Sequence, residues 1–179
     1  MNARIVLQEA DIRRALTRIA HEILESNRGA EDLVLLGIPT RGVPLAERLG
    51  LLITEIAQIA VPVGSLDVTL FRDDLARHPT RSPHPTEIPA GGIDGKTVVL
   101  VDDVLFSGRS IRAALDALQS IGRPAAVRLA ILVDRGHREL PIRPDFVGKN
   151  IPSARAERVN VRLREDDGED LVSIEGSEA

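Results

Sequence analysis

The sequence contains no cysteine, no tryptophan and no tyrosine, and only three phenylalanines among its 179 residues. Without cysteine the chain can form neither a disulfide bond nor a thiolate metal site. The scarcity of aromatic side chains argues against a protein that stacks single-stranded bases on aromatic rings. The hydrophobic and charged fractions, 43% and 28%, indicate an ordinary globular protein with a core of its own.

Long apolar segments are also missing. No stretch approaches the roughly 20 consecutive apolar residues that a membrane-spanning helix needs. The first residues, MNARIVLQEADIRR, lack the basic and then apolar arrangement of a secretory signal peptide. Together with the absence of cysteine, these features predict a cytoplasmic protein that has no membrane partner.

Positive and negative charges are unevenly distributed along the chain. The segment 165–179 holds seven of the 27 acidic residues and no lysine or arginine, which predicts an acidic C-terminal tail. The net charge of the whole chain is −4, but the 23 basic residues outnumber the acidic ones outside this segment. The composition therefore leaves room for a basic, nucleic-acid-binding face.

Strand-like and helix-like segments alternate along the chain. Apolar or alternating runs predict strands over 33–38, 61–71, 96–104, 126–136, 158–165 and 170–175. The last two of these strands are expected to pair across the sequence DDGE. Apolar residues at helical spacing predict helices over 11–27, 43–56 and 110–122. This order predicts a single α/β domain over 1–179, with a mostly parallel central sheet flanked by helices on both faces.

Polar clusters follow several of the predicted strands, where ligands bind in such folds. Thr40 and Arg41 follow one strand, Asp102 and Asp103 end another, and Arg135 follows a third. The segment 72–95 interrupts the pattern with four prolines and three glycines. Long irregular segments of this kind are usually functional, and we interpret this one as a flexible lid loop.

The stretch VVLVDDVLFSGRS, residues 98–110, suggests the nature of the ligand. The adjacent carboxylates Asp102 and Asp103 could bind the vicinal hydroxyls of a ribose or lie near a hydrated Mg²⁺. The turn from Ser107 to Ser110 opens a predicted helix, whose free backbone N–H groups form a phosphate site. Carboxylates for a sugar beside amides for a phosphate fit a phosphorylated ribose.

The same stretch allows two other interpretations. The aspartates could be a purely structural pair that caps a loop. The sequence GKT at 95–97 suggests a P-loop, but Ala90 stands where the first P-loop glycine should be. A P-loop Lys-Thr also opens a helix, whereas Lys96 and Thr97 open a predicted strand.

The stretch 98–110 resembles the signature of the type I phosphoribosyltransferases, which bind phosphoribosyl pyrophosphate (PRPP), with Ser107 in place of the commoner threonine. Four further segments, 13–23, 37–49, 67–75 and 132–153, resemble the PyrR family of pyrimidine operon regulators, and the similarity is colinear over nearly the whole chain. The resemblance implies the type I phosphoribosyltransferase fold with a small hood. It also implies two activities: uracil phosphoribosyltransferase catalysis, and UMP-dependent binding of pyrimidine operon leader mRNA for transcription attenuation.

The resemblance also implies roles for individual residues. The catalytic group is Asp102, Asp103 and Arg41. The substrate-binding residues for PRPP, uracil and UMP are Thr40, Arg41, Arg72, Asp102, Asp103, Val104, Leu105, Phe106, Ser107, Gly108, Arg109, Ser110, Arg135 and Val159. The implied cofactor is Mg²⁺, held through pyrophosphate and water near the aspartates rather than directly by the protein.

The RNA partner, a leader hairpin, is assigned to a basic face. By resemblance, the residues of this face are Thr17, Arg18, His21, Arg138, Arg143 and Lys149. A homodimer or higher homo-oligomer is implied as well. From the charge pattern alone, the same residues are equally compatible with solvated surfaces.

The chain departs from the family at Phe71 and Phe106, where members commonly carry tyrosine, and at Pro39, which replaces a residue that is often basic. Two other functions are therefore considered in addition to the bifunctional one. One is a purely enzymatic salvage phosphoribosyltransferase for uracil or a purine. The other is a regulator that senses nucleotides without catalysis.

Overall fold

A computed structural model describes residues 3–74, 76 and 83–176. The elements in chain order are β1 (Ala3–Gln8), α1 (Glu9–Asn27), β2 (Leu33–Gly37), α2 (Gly42–Ala57), β3 (Val63–Ser65), a 3-10 helix (Thr69–Phe71), β4 (Thr97–Leu105), α3 (Arg109–Gln119), β5 (Ala126–Asp134), β6 (Phe146–Asn150), β7 (Arg158–Arg162), α4 (Arg164–Asp167) and β8 (Leu171–Glu175).

Five strands form a parallel sheet in the order β3-β2-β4-β5-β6. The central strand β4 pairs with β2 as far as Gly37 opposite Val101, and with β5 as far as Leu105 opposite Asp134. The carboxyl ends of β2, β4 and β5 therefore meet at one edge. The predicted fold class, a mostly parallel sheet flanked by helices, is confirmed.

The sheet separates two apolar layers. One layer contains buried residues of α1 and α2, such as Ile19 and Leu49, and the other contains residues of α3, such as Ile111 and Ala114. Side chains alternate along β4, so that Val99 and Val101 belong to the first layer and Val98 and Leu100 to the second. Burial on both faces explains why the central strands are uninterrupted apolar runs.

Three further strands form an antiparallel sheet in the order β1-β8-β7, which is the small hood. The segment 165–176, expected to be a tail, lies in this folded unit. Arg48 of α2 holds it in place by donating hydrogen bonds to Glu165 and Asp170. The acidic residues therefore neutralise arginines of the main domain.

The structure differs from the sequence prediction in three strands. The predicted strand 61–71 is wrong beyond Ser65, because Asp67 accepts hydrogen bonds from the backbone N–H and hydroxyl of Thr69 and turns the chain into the 3-10 helix. Strands β1 and β6 were not predicted. Among the described residues, no helix is long and apolar enough to cross a lipid bilayer.

Candidate active site and adjacent basic face

A cleft lies at the carboxyl edge of the parallel sheet, below the hood. It consists of two cavities of about 890 Å³ and 530 Å³. Arg72, Asp102, Val104 and Ser110 line both cavities, so the two form one continuous space. The larger cavity, here called the phosphate cavity, faces the loop before α3, and the smaller one extends to Thr40 and Arg41.

The loop from Val104 to Ser110 lines the phosphate cavity with every one of its residues. Gly108 adopts a φ of +93° and immediately precedes the first residue of α3. A Cβ atom at Gly108 would lie 3.2 Å from Ile142, so glycine suits both the backbone conformation and the close packing there. The amino end of α3 therefore opens into the cavity, an arrangement that favours an anion.

The aspartates Asp102 and Asp103 lie where β4 reaches the cleft. One oxygen of Asp102 accepts the backbone N–H of Asp103 at 2.9 Å, and one oxygen of Asp103 accepts that of Val104 at 2.8 Å. Both side chains also line the smaller cavity. Burial and the neighbouring charge of Asp103 raise the pKa of Asp102 well above its ordinary value.

Thr40 and Arg41 line the smaller cavity together with the two aspartates. The first turn of α2 packs directly on β4, because a Cβ atom at Gly42 would overlap the carbonyl oxygen of Val101. The guanidinium of Arg41 donates two hydrogen bonds to Asp167 of the hood, at 2.8 and 3.1 Å. The Asp167 carboxylate raises the pKa of Arg41, which keeps its full charge beside the cleft.

Only part of the predicted lid 72–95 can be described. Arg72 lines both cavities and donates to Asp74, while Asp73 pairs with Arg109 at the start of α3. Farther along, Glu87 and Ser65 form a bridge with two backbone hydrogen bonds, so 83–95 is anchored beside β3. Residue 75 and residues 77–82 lie outside the described part of the chain.

Arg135 lies behind the cavity wall. It is 8% exposed, its guanidinium is 4.2 Å from the centre of the Phe106 ring, and it donates hydrogen bonds to Ser153 and Ala154. Burial lowers the pKa of Arg135 from its ordinary value. In this conformation Arg135 supports Phe106, which lines the phosphate cavity. Val159 lines the smaller cavity.

Helix α1 and strand β6 bring four of the predicted RNA-binding residues to one side of the molecule. Arg18 donates hydrogen bonds to the carbonyl oxygens of Val147 and Gly148 in β6, at 3.0 and 2.6 Å. His21 and Lys149 are exposed on these two elements. The hydroxyl of Thr17 donates to the carbonyl of Arg13 within α1.

The two remaining residues of the predicted basic face have different environments. Arg143 is exposed, and no ion pair or hydrogen bond of its side chain occurs within residues 3–74, 76 and 83–176. Arg138 instead donates to Asp134, to the carbonyl of Phe106 and to the carbonyl of Ile142. Its donors are engaged inside the protein, so the structure does not present Arg138 as a free RNA contact.

Three acidic residues of the cleft were missed by the sequence analysis. Asp73 and Glu139 both pair with Arg109, and Asp167 pairs with Arg41. Their partners are distant in sequence; Arg41 and Asp167, for example, are 126 residues apart. No local motif marks such pairs, and only the excess of acidic residues near the C-terminus was visible.

The donor set fits a magnesium ion that is bound mainly by its substrate. The described residues contain no group of three or more histidine, aspartate or glutamate side chains that could enclose a metal. Asp102 and Asp103 alone supply carboxylates from β4 to the cleft, which suits an ion that keeps water ligands and is shared with phosphate oxygens.

Comparison with known proteins agrees with this geometry. The phosphoribosyl transferase domain family matches residues 3–166. The chain resembles a hypoxanthine phosphoribosyltransferase of Trypanosoma cruzi, with a TM-score of 0.71, 19% identity and coverage of 96% of this chain and 95% of that chain. It also resembles a hypoxanthine-guanine phosphoribosyltransferase of Bacillus anthracis, with a TM-score of 0.69, 16% identity and coverage of 97% and 98%. These identities support the fold alone.

Sequence relatives are much closer. A bifunctional protein PyrR of Leifsonia xyli is 69% identical over 98% of both chains, and one of Streptomyces coelicolor is 64% identical over 96% of this chain and 89% of that protein. The predicted family and the predicted phosphoribosyltransferase class of enzyme are therefore confirmed. The chain belongs to the PyrR family, within the phosphoribosyl transferase domain family.

Proposed function

We propose that this protein transfers the phosphoribosyl group of PRPP to uracil, forming UMP and pyrophosphate. We also propose that it binds the leader mRNA of pyrimidine operons in a UMP-dependent way and thereby regulates transcription attenuation. Both proposed ligand classes are cytoplasmic, which is where we place the protein. The relatives carry the name bifunctional protein PyrR, and the chain matches the phosphoribosyl transferase domain.

The observation that carries the enzymatic half is the arrangement of three chemically different groups around one cleft. The amino end of α3 suits a phosphate, Asp102 and Asp103 suit sugar hydroxyls, and Arg41 suits a diphosphate. PRPP carries a 5′-phosphate, two ribose hydroxyls and a pyrophosphate in the same order. This match supports PRPP as the ligand of the cleft.

In the proposed reaction, the bond between the anomeric carbon of PRPP and pyrophosphate breaks, a bond to N1 of uracil forms, and the N1 proton is released to pyrophosphate or solvent. The loop Val104–Ser110 would hold the 5′-phosphate, and the aspartates would fix the ribose by its hydroxyls. Arg41 would neutralise charge on the departing pyrophosphate, which requires its bond to Asp167 to open or to be shared. A bound Mg²⁺ would supply further charge neutralisation at the pyrophosphate.

The cleft must also exclude water, because the anomeric carbon develops cationic character during the substitution. Arg72 lies at the start of the proposed lid and lines both cavities. Asp73, the next residue, is paired with Arg109 of the phosphate-binding loop. We propose that the start of the predicted lid 72–95, at Arg72 and Asp73, closes the cleft over PRPP, while residues 83–95 stay anchored beside β3.

The RNA half of the proposal is supported by the basic face of α1, β6 and the segment between β5 and β6. His21, Arg143 and Lys149 are exposed there. Their charges and donors suit RNA phosphates, and Thr17 could reach a sugar or base edge of a hairpin loop. We propose that a homo-oligomer brings two such faces together on one hairpin.

The enzymatic half is tested by measuring UMP and pyrophosphate formation from uracil and PRPP with Mg²⁺. We expect turnover by the wild-type protein and a loss of at least a hundredfold in Asp103→Asn, which retains the shape of the side chain but loses its charge. Asp116→Asn, exposed on α3, is the matched control and should retain turnover. Turnover of hypoxanthine in place of uracil, or near-normal turnover by Asp103→Asn, would contradict the proposal.

A further inference from the structure

Arg138 has the contacts of a structural brace. Its Nε donates to the carbonyl of Ile142 at 2.9 Å, one terminal nitrogen to the carbonyl of Phe106 at 2.9 Å, and the other to Asp134 at 2.6 Å. The side chain is only 23% exposed. All three guanidinium nitrogens therefore have protein acceptors, and a planar fork of this kind fixes the relative positions of the groups it bridges.

Of the three residues that Arg138 bridges, Phe106 lines the phosphate cavity, whereas Asp134 and Ile142 line a separate outer groove. Phe106 and Asp134 stand at the ends of adjacent strands, and Ile142 packs against Gly108. The carbonyl of Ser107 also accepts the backbone N–H groups of Glu139 and Leu140, at 3.0 and 3.1 Å. The segment 138–142 thus holds the phosphate-binding loop from behind.

The other side of the same segment lines an outer groove of about 740 Å³, which also contains Arg143 and Val147 of β6. Arg138, Leu140 and Ile142 belong to the wall of this groove, while Glu139 lines the phosphate cavity. One stretch of chain therefore separates the proposed nucleotide site from the proposed RNA face. A shift of the phosphate-binding loop would reach the segment 138–142 through the hydrogen bonds of Ser107 and Arg138, and from there Arg143, the next residue in the chain.

We propose that Arg138 is a positioning residue that braces the phosphate-binding loop and couples nucleotide binding to the outer groove, rather than a direct RNA contact. The coupling rests on the proposed UMP-dependent binding of RNA, whereas the brace concerns the PRPP site alone. Two experiments therefore address the two parts separately.

The brace is tested by the steady-state kinetics of Arg138→Lys, because lysine keeps the charge but cannot span three acceptors. The 5′-phosphate is remote from the reacting bond, so its loss of binding should raise KM with little change in kcat. We expect the KM for PRPP to rise at least fivefold, with kcat within twofold of wild type. The control Arg123→Gln, exposed beyond α3, should leave both constants unchanged.

Asp134→Asn provides a second variant, which removes the charge of one of the three acceptors and leaves the two carbonyl acceptors unchanged. Its rise in KM for PRPP should be smaller than that of Arg138→Lys. The double variant should show less than the product of the two single effects, because both act through one contact. A lower melting temperature in Arg138→Lys with KM for PRPP unchanged would contradict the bracing role and show that Arg138 contributes only to stability.

The coupling is tested by the affinity for a leader hairpin with and without UMP at fixed salt. Arg138→Lys should reduce the factor by which UMP tightens RNA binding at least fivefold, while the affinity without UMP stays within twofold of wild type. Arg143→Gln is the reference for a direct contact and should weaken binding equally in both conditions. Equal weakening by Arg138→Lys would overturn the coupling and indicate an RNA contact.

A wild-type protein that binds no hairpin in either condition would refute the RNA half of the proposed function and the coupling with it. The KM for PRPP of Arg138→Lys would still test whether Arg138 positions the phosphate-binding loop. The two failures are therefore distinguishable.

Discussion

Individual residues of the cleft have surroundings that their types alone do not reveal. Asp102, for example, has a raised pKa because it is buried and lies beside the charge of Asp103. Arg109, Arg135 and Arg138 look alike in the sequence. In the structure Arg109 pairs with two carboxylates, Arg135 stacks on a ring, and Arg138 bridges three acceptors. The role of each arginine follows from these partners.

The raised pKa of Asp102 predicts a stability that falls as the pH rises. The folded state holds the Asp102 proton to a higher pH than the unfolded chain does, so ionisation above about pH 4 favours unfolding. Asp102→Asn should therefore raise the free energy of unfolding at pH 7 relative to wild type, and this gain should be smaller at pH 4, where Asp102 is protonated in the folded state and partly protonated in the unfolded chain. Denaturant unfolding at pH 4 and pH 7 measures this difference.

The same variant should lose turnover, because the ribose loses a carboxylate. The exposed Asp116→Asn is the control for both measurements. A melting temperature of Asp102→Asn that is below wild type at pH 7 would show that the charge of Asp102 is stabilised by the fold, contrary to this account.

Gly108 is the residue at which backbone conformation and ligand site coincide. Gly108→Ala would combine a φ of +93° with a Cβ atom 3.2 Å from Ile142. We expect a loss of about 1–2 kcal/mol in stability from the strained backbone. We also expect a tenfold or larger rise in the KM for PRPP. Thermal unfolding and steady-state kinetics measure the two effects.

Gly136→Ala is the matched control, because its φ is also positive, +78°, but no atom lies within 4 Å of the added Cβ. It should show the loss of stability without the rise in KM. Equal rises in KM for the two variants would indicate that backbone strain, rather than the packing of the phosphate-binding loop, controls PRPP binding.

At the scale of elements, the hood is attached to the main domain by arginine–carboxylate pairs. Arg48 is 22% exposed and pairs with Glu165 and with Asp170, whose side chain is 8% exposed. Hydrogen bonds and charge attraction from Arg48 lower the pKa values of both carboxyls against the opposing effect of burial. These pairs are partly buried and have fork geometry, so they should contribute more than an ordinary surface pair.

Arg48→Gln should lower the free energy of unfolding by about 1–3 kcal/mol near pH 7. The lowered pKa values mean that this stabilisation is complete above about pH 5 and is lost as the pH falls through the folded-state values. The difference in melting temperature between wild type and variant should therefore shrink between pH 5 and pH 3. Calorimetry over this range tests the prediction.

Arg162→Gln is the control, because its pair with Glu169 is about half exposed on both sides. We expect a change of less than about 1 kcal/mol for this surface pair. A difference for Arg48→Gln that stays constant from pH 7 to pH 3 would show that Arg48 stabilises the hood by packing alone.

The sequence predicts elements well where the signal is local. The apolar runs of β2, β4 and β5 and the helical spacing in α1, α2 and α3 depend only on neighbouring residues. Strand β1 pairs with β8 from the opposite end of the chain, so its partner is not visible locally. The loop Val104–Ser110 is contiguous, so a local motif could mark it as a candidate ligand loop, and the structure places it along one cavity. The contact from Arg138 to Phe106 joins residues 32 positions apart, which no local motif marks.

At the scale of the whole molecule, the proposed functions occupy adjacent parts of one domain. The cleft lies between the parallel sheet and the hood, and the basic face lies on α1, β6 and the segment before β6. The segment 138–142 touches both regions. Binding of a nucleotide and binding of RNA should therefore affect one another by the same factor, since coupling between two sites is reciprocal.

The most direct test of this account is the affinity of the purified protein for a pyrimidine operon leader hairpin, measured with and without UMP at one salt concentration. We predict that saturating UMP tightens binding at least tenfold, and that the hairpin tightens UMP binding by the same factor. Hairpin affinity that is unchanged by UMP, or absent in both conditions while UMP synthesis continues, would contradict the account and indicate a salvage enzyme with a solvated basic face.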